Sequence, residues 1–349
     1  MTSISLRSKF RGCLMGTLLG DCLGSVFENE TMTHALRFVV KTLLEHFEDQ
    51  DFEHSVNKIK GTASLMRSLG HSMLENLPTD YKAIGVKLAN DFFLTDKRVH
   101  GESVAEVLYR LKFLKPEDDV FQAAKESHHG MGSLGSSAAT MIAPLSLYYY
   151  DDYNTMIKET RNISKITHTH PLGINGALLQ CIAIHQCLHV REDSLEVTDF
   201  MNQLLTKIKA IEENEKDRPF SNKLLHVSER LTQKVPEDLS DEYSYIAHEL
   251  GHGSKALECV PTAIFCFLRC KETIPEMESN CWFRKTLEYA ISLGGDTKKL
   301  ACLAGGLVGA LTGEDECWEA LKRASKRSEE VLKLADDLYE ITIKKSKTN

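Results

Sequence analysis

The sequence predicts an all-α fold contained in a single domain that spans residues 1–349. Apolar residues recur at three- and four-residue steps along almost the whole chain, and convincing alternation of the kind that marks strands is absent. The connections between these segments are short and polar, and none resembles a linker between domains. No segment repeats at a fixed period, which excludes a solenoid. These three observations together predict one bundle of helices.

The first predicted helix, residues 8–25, carries a stripe of glycines on one face. They stand at every fourth position, at Gly12, Gly16, Gly20 and Gly24. A second stripe lies within residues 300–313, at Gly305, Gly309 and Gly313. Each glycine inside a helix costs roughly 0.8–1 kcal/mol relative to alanine, so such a stripe is tolerated where another backbone must lie very close. We therefore expect a tightly packed centre.

The same period predicts the remaining helices in order along the chain. They cover residues 35–47, 64–77, 81–94, 103–114, 138–147, 154–167, 173–190, 197–213, 219–234, 242–250, 260–270, 283–293, 298–311 and 318–344. Residues 28–31 are predicted to form a loop between the first two helices.

Charge and composition exclude several classes of protein. Lysine and arginine number 42 against 50 aspartate and glutamate, a formal net charge of -8. A net-acidic chain repels a phosphate backbone, and no run of like charge supplies a basic patch, so no nucleic-acid partner is expected. A hydrophobic content of 42% excludes a disordered chain. No run approaches the ~20 apolar residues of a membrane span, so no membrane partner is expected either.

The ten cysteines form no C-x-x-C pair, which argues against a thioredoxin-like motif or a zinc ribbon. Most lie in apolar helical segments, where free cysteine behaves as a small hydrophobe. Arg7, Lys9 and Arg11 precede a short apolar stretch, as in a secretory signal, but glycines interrupt that stretch and Asp21 ends it. We expect a soluble, cytoplasmic protein with reduced thiols.

A loop at residues 130–137 has the composition of a phosphate cradle. It reads Gly-Met-Gly-Ser-Leu-Gly-Ser-Ser and leads into the predicted helix 138–147. Glycines let backbone N–H groups approach an anion, and the helix N-terminus adds a favourable dipole. The loop lacks the lysine of a P-loop and follows no strand, so that motif is excluded. A loop whose serine merely caps the helix remains the alternative.

Two further loops place polar residues at the entrance of a predicted helix. Residues 167–176 contain His168 and His170, which could contact a metal or a ligand, or be structural only. In residues 294–297, Asp296 precedes the helix 298–311, where it could cap the helix or ligate a hard cation.

Residues 248–252 fit the zinc-protease pattern H-E-x-x-H, with His248 and His252 as the two candidate ligands. Gly253 follows at once, which predicts that the helix ends there and that the ligand face loses its support. The longer form of the motif is also missing, because Lys255 and Glu258 occupy its glycine and histidine positions. We therefore expect no zinc site.

Taken together, several blocks resemble the ADP-ribosylhydrolase (ADP-ribosylglycohydrolase) family. They occur in order between about residues 8 and 313, at residues 11–16, 19–25, 132–135, 167–176, 260–264 and 291–297. The resemblance is greatest to the vertebrate serine-ADP-ribosyl hydrolase subgroup. It implies an orthogonal bundle of helices with two magnesium ions in a central cleft, and ADP-ribose phosphates on the Gly-Ser loop.

The resemblance assigns roles to single residues of this chain. Glu28 matches the acidic residue after the first helix, His168 the turn histidine, and Asp296 with Thr297 the start of the late metal motif. Three more match phosphate-loop positions: Gly132, Ser133 and Gly135.

Other positions depart from the family pattern. Gly61 and Thr62 stand where the early motif has two aspartates, and Lys298 stands where the late motif has its second aspartate. Magnesium needs several oxygen ligands. At ~4 Å and an effective dielectric of ~20, a unit-charge pair interacts by about 4 kcal/mol, before the double charge of the ion is counted. The sequence therefore predicts no magnesium and no other cofactor.

This loss of ligands leads to an expectation about function. We expect a catalytically inactive homologue with a structural role, most similar to the J-type lens crystallins of jellyfish, which requires no partner. The alternatives are a module that retains weak binding of ADP-ribose and a residual ADP-ribosyl hydrolase that works with one metal or none. The sequence leaves the oligomeric state open.

Overall fold

The computed structural model describes residues 4–28, 30–45, 63–75, 80–94, 102–314, 322 and 325–346. Within these residues the regular elements are helices, joined by turns and by one isolated bridge between Gly135 and Lys255. The α-helices are α1 Leu6–Gly24, α2 His34–Glu45, α3 Ser64–Glu75, α4 Tyr81–Leu94, α5 Glu102–Lys112, α6 Gln122–Glu126, α7 Ser137–Met141, α8 Ala143–Tyr148, α9 Tyr153–Ser164, α10 Pro171–His189, α11 Val197–Ile211, α12 Pro219–Thr232, α13 Leu239–Glu249, α14 Ala256–Arg269, α15 Trp282–Ser292, α16 Thr297–Thr312 and α17 Ser328–Ser346. The predicted all-α fold is confirmed.

Helices α1 and α16 lie side by side at the centre of the domain, with their glycine stripes in contact. A Cβ atom added to Gly16 would lie 2.0 Å from the carbonyl oxygen of Gly305, and one added to Gly12 would lie 2.0 Å from that of Gly309. No side chain fits at such distances, so the two backbones touch. The tightly packed centre predicted from the stripes is confirmed.

The other helices surround this pair and bury it. Helix α10 is apolar along nearly its whole length and buried on all sides, as are α1 and α16. Such all-round burial is typical of helices in the core of a large domain. The buried apolar residues of the domain form one hydrophobic cluster that extends from Phe10 in α1 to Leu338 in α17.

Three details of the helix pattern differ from the prediction. The segment predicted as one helix, 138–147, is two helices separated at Ile142, because Pro144 lies in the first turn of α8 and cannot donate the hydrogen bond that a continuous helix needs. The short helix α6 was not predicted, since its five residues are too few to show a period. The last helix begins at Ser328 rather than at residue 318, and residues 318–321 lie outside the described part.

The cysteines agree with the prediction in part. Of the nine that the structure describes, eight are free and buried: Cys13, Cys22, Cys181, Cys187, Cys259, Cys266, Cys270 and Cys302. Cys281 is disulfide-bonded, so the expectation of reduced thiols throughout is wrong at that residue. Among the described helices, none combines the length and the apolar character that crossing a bilayer requires.

Candidate functional site

A small cavity lies where α1, the start of α3, α7 and the start of α16 meet. Its volume is about 30 Å³. Its lining residues are Asp21, Ala63, Ser64, Leu65, Met66, Ser137, Thr140, Lys298, Lys299 and Cys302. We call this cavity and the charged groups beside it the cleft. The start of α16 and the helix that follows the Gly-Ser loop, α7, therefore both line this cavity.

Asp21 brings a carboxylate into the cleft from α1. It lies among apolar neighbours in the helix and is only 8% exposed. Its Oδ2 atom accepts a hydrogen bond of 2.9 Å from the backbone N–H of Ala63, which immediately precedes α3. This bond fixes the N-terminus of α3 against α1. It also occupies one of the two oxygens of the carboxylate, which is then less available to a metal ion.

The entrance of α16 supplies one carboxylate and two lysines. Asp296 caps the helix: its Oδ1 accepts the backbone N–H of Lys299 at 3.2 Å, and its Oδ2 lies 2.8 Å from the Nζ of the same lysine. Lys298 is 5% exposed and lines the cavity together with Asp21. Buried Thr297 donates from Oγ1 to the carbonyl oxygen of Gly24 at 2.8 Å, which holds this entrance against the end of α1. Capping, one of the two predicted roles of Asp296, is confirmed.

Glu28 lies just beyond α1 and is half-buried. Burial raises the pKa of its carboxyl group, Lys298 acts in the opposite direction, and the negative charge of Asp296 raises the pKa further. These mutual effects show that Glu28, Asp296 and Lys298 lie within electrostatic reach of one another. The structure thus brings together Glu28, which follows the C-terminus of α1, and Asp296, at the N-terminus of α16, the two acidic residues that the resemblance assigned to the site.

The Gly-Ser loop packs against the turn that precedes α10. Gly132 has a φ of +76°, which favours glycine, and a Cβ atom there would lie 2.3 Å from the Oγ1 of Thr169. Ser133 does not cap a helix, since its Oγ accepts the N–H of Gly135 within the loop at 3.2 Å. Helix α7 likewise has no side-chain cap, so the alternative reading of this loop as a serine cap is wrong.

His168 lies beneath this loop and is fully buried. Its Nδ1 is 2.8 Å from the Oγ1 of Thr167, whereas its Nε2 has no hydrogen-bond partner among the described residues. A Cβ atom on Gly135 would lie 3.6 Å from that Nε2, so the free nitrogen faces the loop. Burial lowers the pKa of the imidazole to about 3, and the charge of Lys299 acts in the same direction. His168 is therefore neutral at physiological pH.

The predicted absence of an H-E-x-x-H zinc site agrees with the geometry. Helix α13 ends at Glu249, and Gly251 follows with a φ of +86°. His248 is exposed on the last turn, whereas the Nδ1 of His252 lies 3.0 Å from the carbonyl oxygen of Leu293. The two histidines do not share a helix face.

The donor set of the cleft does not fit a pair of magnesium ions. Magnesium demands near-octahedral coordination by oxygen. Here both oxygens of Asp296 already have partners, one oxygen of Asp21 is bound to a backbone N–H, and two lysines line the cavity. Across the described residues, no group of three or more histidine, cysteine, aspartate or glutamate side chains is arranged to hold a metal ion. Gly61 and Thr62 lie outside the described residues.

Sequence reasoning missed Asp21 and Lys299 as members of the site. The signal for Asp21 was available, because it is the one carboxylate within the apolar run of residues 12–24. Lys299 gave no signal, since an ion pair with Asp296 three residues earlier is ordinary at a helix entrance. Two pairs of adjacent aspartates elsewhere in the chain, at 118–119 and 151–152, belong to loops and a helix cap: Asp152 caps α9, and Asp119 accepts the N–H of Phe121.

Comparison with known proteins adds a second line of observation. A family model described as ADP-ribosylglycohydrolase matches residues 2–348. The ADP-ribosylhydrolase ARH3 of Mus musculus is 34% identical over 356 aligned positions, and the alignment covers 96% of this chain and 92% of the mouse protein. The ADP-ribosylhydrolase ARH3 of Homo sapiens is 33% identical over 350 aligned positions, with 96% of this chain and 93% of the human protein covered.

A solved structure shows the same fold. A chain of an ADP-ribosylglycohydrolase-related protein complex matches with a TM-score of 0.63 at 16% identity, over 97% of this chain and 99% of that one. This likeness extends over the whole domain and agrees with the predicted helical bundle.

These findings correct the expectation about function. The prediction of a catalytically inactive protein that is not an enzyme is wrong, because the relatives that match along nearly the whole chain are named ADP-ribosylhydrolases. The prediction of a lens crystallin is wrong for the same reason, since none of these relatives is named as one. Altered residues in a metal motif are therefore not equivalent to lost activity. By the match of residues 2–348, this chain belongs to the ADP-ribosylglycohydrolase family.

Proposed function

We propose that this protein is an ADP-ribosyl hydrolase that cleaves the bond between ADP-ribose and a modified protein. The observation that carries the proposal is 33–34% identity to ADP-ribosylhydrolases along 96% of the chain. The cleft supports it, because it gathers three carboxylates and two lysines beside a glycine-rich loop. Carboxylates serve as acids and bases in glycoside hydrolysis, and lysines bind phosphate as point charges.

The proposed ligand is the ADP-ribosyl group, held by residues on both sides of the cleft. Gly132, Ser133 and Gly135 form the loop proposed to accommodate the diphosphate, because Gly135 places no side chain between this loop and the Nε2 of His168, whereas Gly132 supplies the positive φ and the room for Thr169 that the shape of the loop requires. The Nε2 of His168 is the buried polar atom beneath this loop that lacks a partner, and a neutral imidazole supplies one donor or one acceptor to the ligand.

Glu28 is the proposed general base. Its pKa is raised by burial, which brings the carboxylate closer to the range in which it exchanges protons efficiently at neutral pH. In the proposed reaction, the oxygen of a water molecule bonds to the anomeric carbon of the ribose while the bond to the protein side chain breaks. Glu28 accepts one proton of the water and passes it to the departing side-chain atom, so that the hydrolysis is balanced and the carboxylate is restored.

We also assign the protein to the cytoplasm, with ADP-ribosylated proteins as its partners. The location is supported by the eight free, buried thiols of the described residues, which suit a reducing compartment, with the disulfide-bonded Cys281 as the exception; the partners follow from the proposed activity.

The test of the proposed function is release of free ADP-ribose from serine-linked and arginine-linked ADP-ribosylated peptides by the purified full chain. Mass spectrometry of the products, with EDTA and separately with magnesium, measures the release. We expect release from at least one peptide, and a loss of about 10²-fold or more in rate for Glu28→Gln.

The matched control is Glu278→Gln, because the side chain of Glu278 is 86% exposed and lies on the surface. Its rate should equal that of the unaltered chain. Absence of release from both peptides under both conditions would refute the proposed function. Unchanged release by Glu28→Gln would instead remove Glu28 from its proposed role.

A further inference from the structure

The two lysines at the N-terminus of α16 carry their positive charges into the cleft. Lys298 is 5% exposed, and the side chain of Lys299 is 18% exposed. Both line the same cavity as Asp21. Lysine is rarely buried unless its charge is paired, and these two lysines place positive charge directly among the carboxylates of the cleft.

The charges of the described cleft residues nearly cancel. Asp21, Glu28 and Asp296 contribute three negative charges, and Lys298 with Lys299 contributes two positive charges. Because the N-terminus of α16 adds a partial positive charge at the same place, the carboxylates are compensated by the chain itself. A divalent cation would meet two ammonium groups, and two of the three carboxylates, Asp21 and Asp296, already have partners.

We infer that Lys298 and Lys299 take the place of divalent cations, so that the cleft binds the ADP-ribosyl group without a metal ion. The diphosphate of this ligand is the chemical class that a pair of ammonium groups recognises. The unpartnered, fully buried Nε2 of His168, which faces the Gly-Ser loop and lies within electrostatic reach of Lys299, is an independent indication that a ligand atom belongs between this loop and the lysines. The inference rests on the proposed function, and it names how the substrate is held.

Calorimetric titration of the full chain with ADP-ribose, in EDTA and in millimolar magnesium, tests this inference. We expect saturable binding with the same Kd in both solutions, and no saturable heat when magnesium alone is titrated. Lys298→Met should weaken ADP-ribose binding about tenfold or more, since a charge-assisted contact with phosphate is lost. Lys298→Arg, which keeps the positive charge, should retain most of the affinity.

The matched control is Lys333→Met, because that lysine is 81% exposed on α17 and its loss should leave the Kd unchanged. Circular dichroism and thermal unfolding of each variant separate a lost contact from a lost fold. Lys299→Met provides a second variant if Lys298→Met fails to fold.

The outcomes separate this inference from the proposed function. Binding that requires magnesium, or equal affinity in the lysine-to-methionine variants and the unaltered chain, overturns the metal-free site but leaves a hydrolase. Absence of binding in both solutions overturns the inference as well. The hydrolase itself is then judged by the peptide-release assay alone.

Discussion

At the scale of single residues, the site depends on buried polar groups whose surroundings the sequence does not show. His168 was predicted from a family block, but its full burial and its unpartnered Nε2 follow from the loop that folds over it. Asp21 was overlooked because its role depends on Ala63, which is 42 positions away in the chain. The residue types of a site can therefore be predicted from blocks, whereas its complete membership depends on tertiary contacts.

The buried imidazole of His168 predicts a specific loss of stability in acid. Its pKa is about 3 in the folded protein and about 6.5 when exposed, so the unfolded chain binds the proton first as the pH falls. The contribution of His168 to stability is complete above pH 6.5 and is lost progressively between there and about pH 3. Between pH 7.5 and pH 5 this loss amounts to roughly 2 kcal/mol.

Urea unfolding of the unaltered chain and of His168→Gln at several pH values measures this effect. Glutamine does not titrate, so the variant should lack this pH-dependent loss. Between pH 7.5 and pH 5, the free energy of unfolding of the unaltered chain should therefore fall by roughly 2 kcal/mol relative to that of His168→Gln. A constant offset at every pH would contradict a lowered pKa for His168.

At the scale of elements, the glycine stripes show where local pattern and tertiary structure agree. Four glycines at every fourth position in α1 are unfavourable for an isolated helix, and only a second backbone at contact distance explains them. The bounds of α4, Tyr81–Leu94, also agree with the sequence pattern at both ends. In contrast, the break between α7 and α8 was missed because the apolar period continues through Ile142, and the position of Pro144 had to be weighed against it.

Gly16→Ala should therefore destabilise the protein by about 2 kcal/mol or more, even though alanine favours the helix. The added Cβ atom would lie 2.0 Å from the carbonyl oxygen of Gly305, so the two central helices must separate. Thermal and urea unfolding measure the change, and failure of the variant to fold would likewise show that the helix pair has no room for the added atom.

Gly135→Ala is the matched control, because the nearest atom that its Cβ would meet is the Oγ of Ser133, at 3.2 Å. Equal stability of Gly16→Ala and the unaltered chain would show that the helix pair has more room than the structure indicates.

At the scale of the whole molecule, the fold class and the family could be predicted from periodicity and from blocks spread along the chain. The function could not be predicted in the same way. Motif positions show which residue types are present, whereas the charge balance of the cleft depends on Asp21, Lys298 and Lys299 meeting in space. Lysine at a metal-ligand position was interpreted as a loss, yet the same residue supplies the positive charge on which the inferred mode of binding depends.

The last helix, α17, packs against α1, so that helices from the two ends of the chain are in contact. Asp336 in α17 accepts two hydrogen bonds of 2.6 Å from Arg11 in α1, in the paired geometry that favours arginine and carboxylate. These bonds hold the pKa of Asp336 well below its usual range. Asp336→Asn should therefore lower the free energy of unfolding at neutral pH by about 1–2 kcal/mol, because Arg7 and Arg11 both lose their ion pair with this carboxylate, although Arg11 keeps its pair with Glu314. The difference should vanish as the pH falls, since the carboxylate becomes protonated and its stabilising contribution is lost.

Asp337→Asn is the control, because that side chain is 47% exposed and lies 3.9 Å from its lysine partner. If the two variants are equally stable in urea unfolding at low ionic strength, the contact between α1 and α17 is maintained by the apolar packing of Phe10 against Tyr339 rather than by the ion pair.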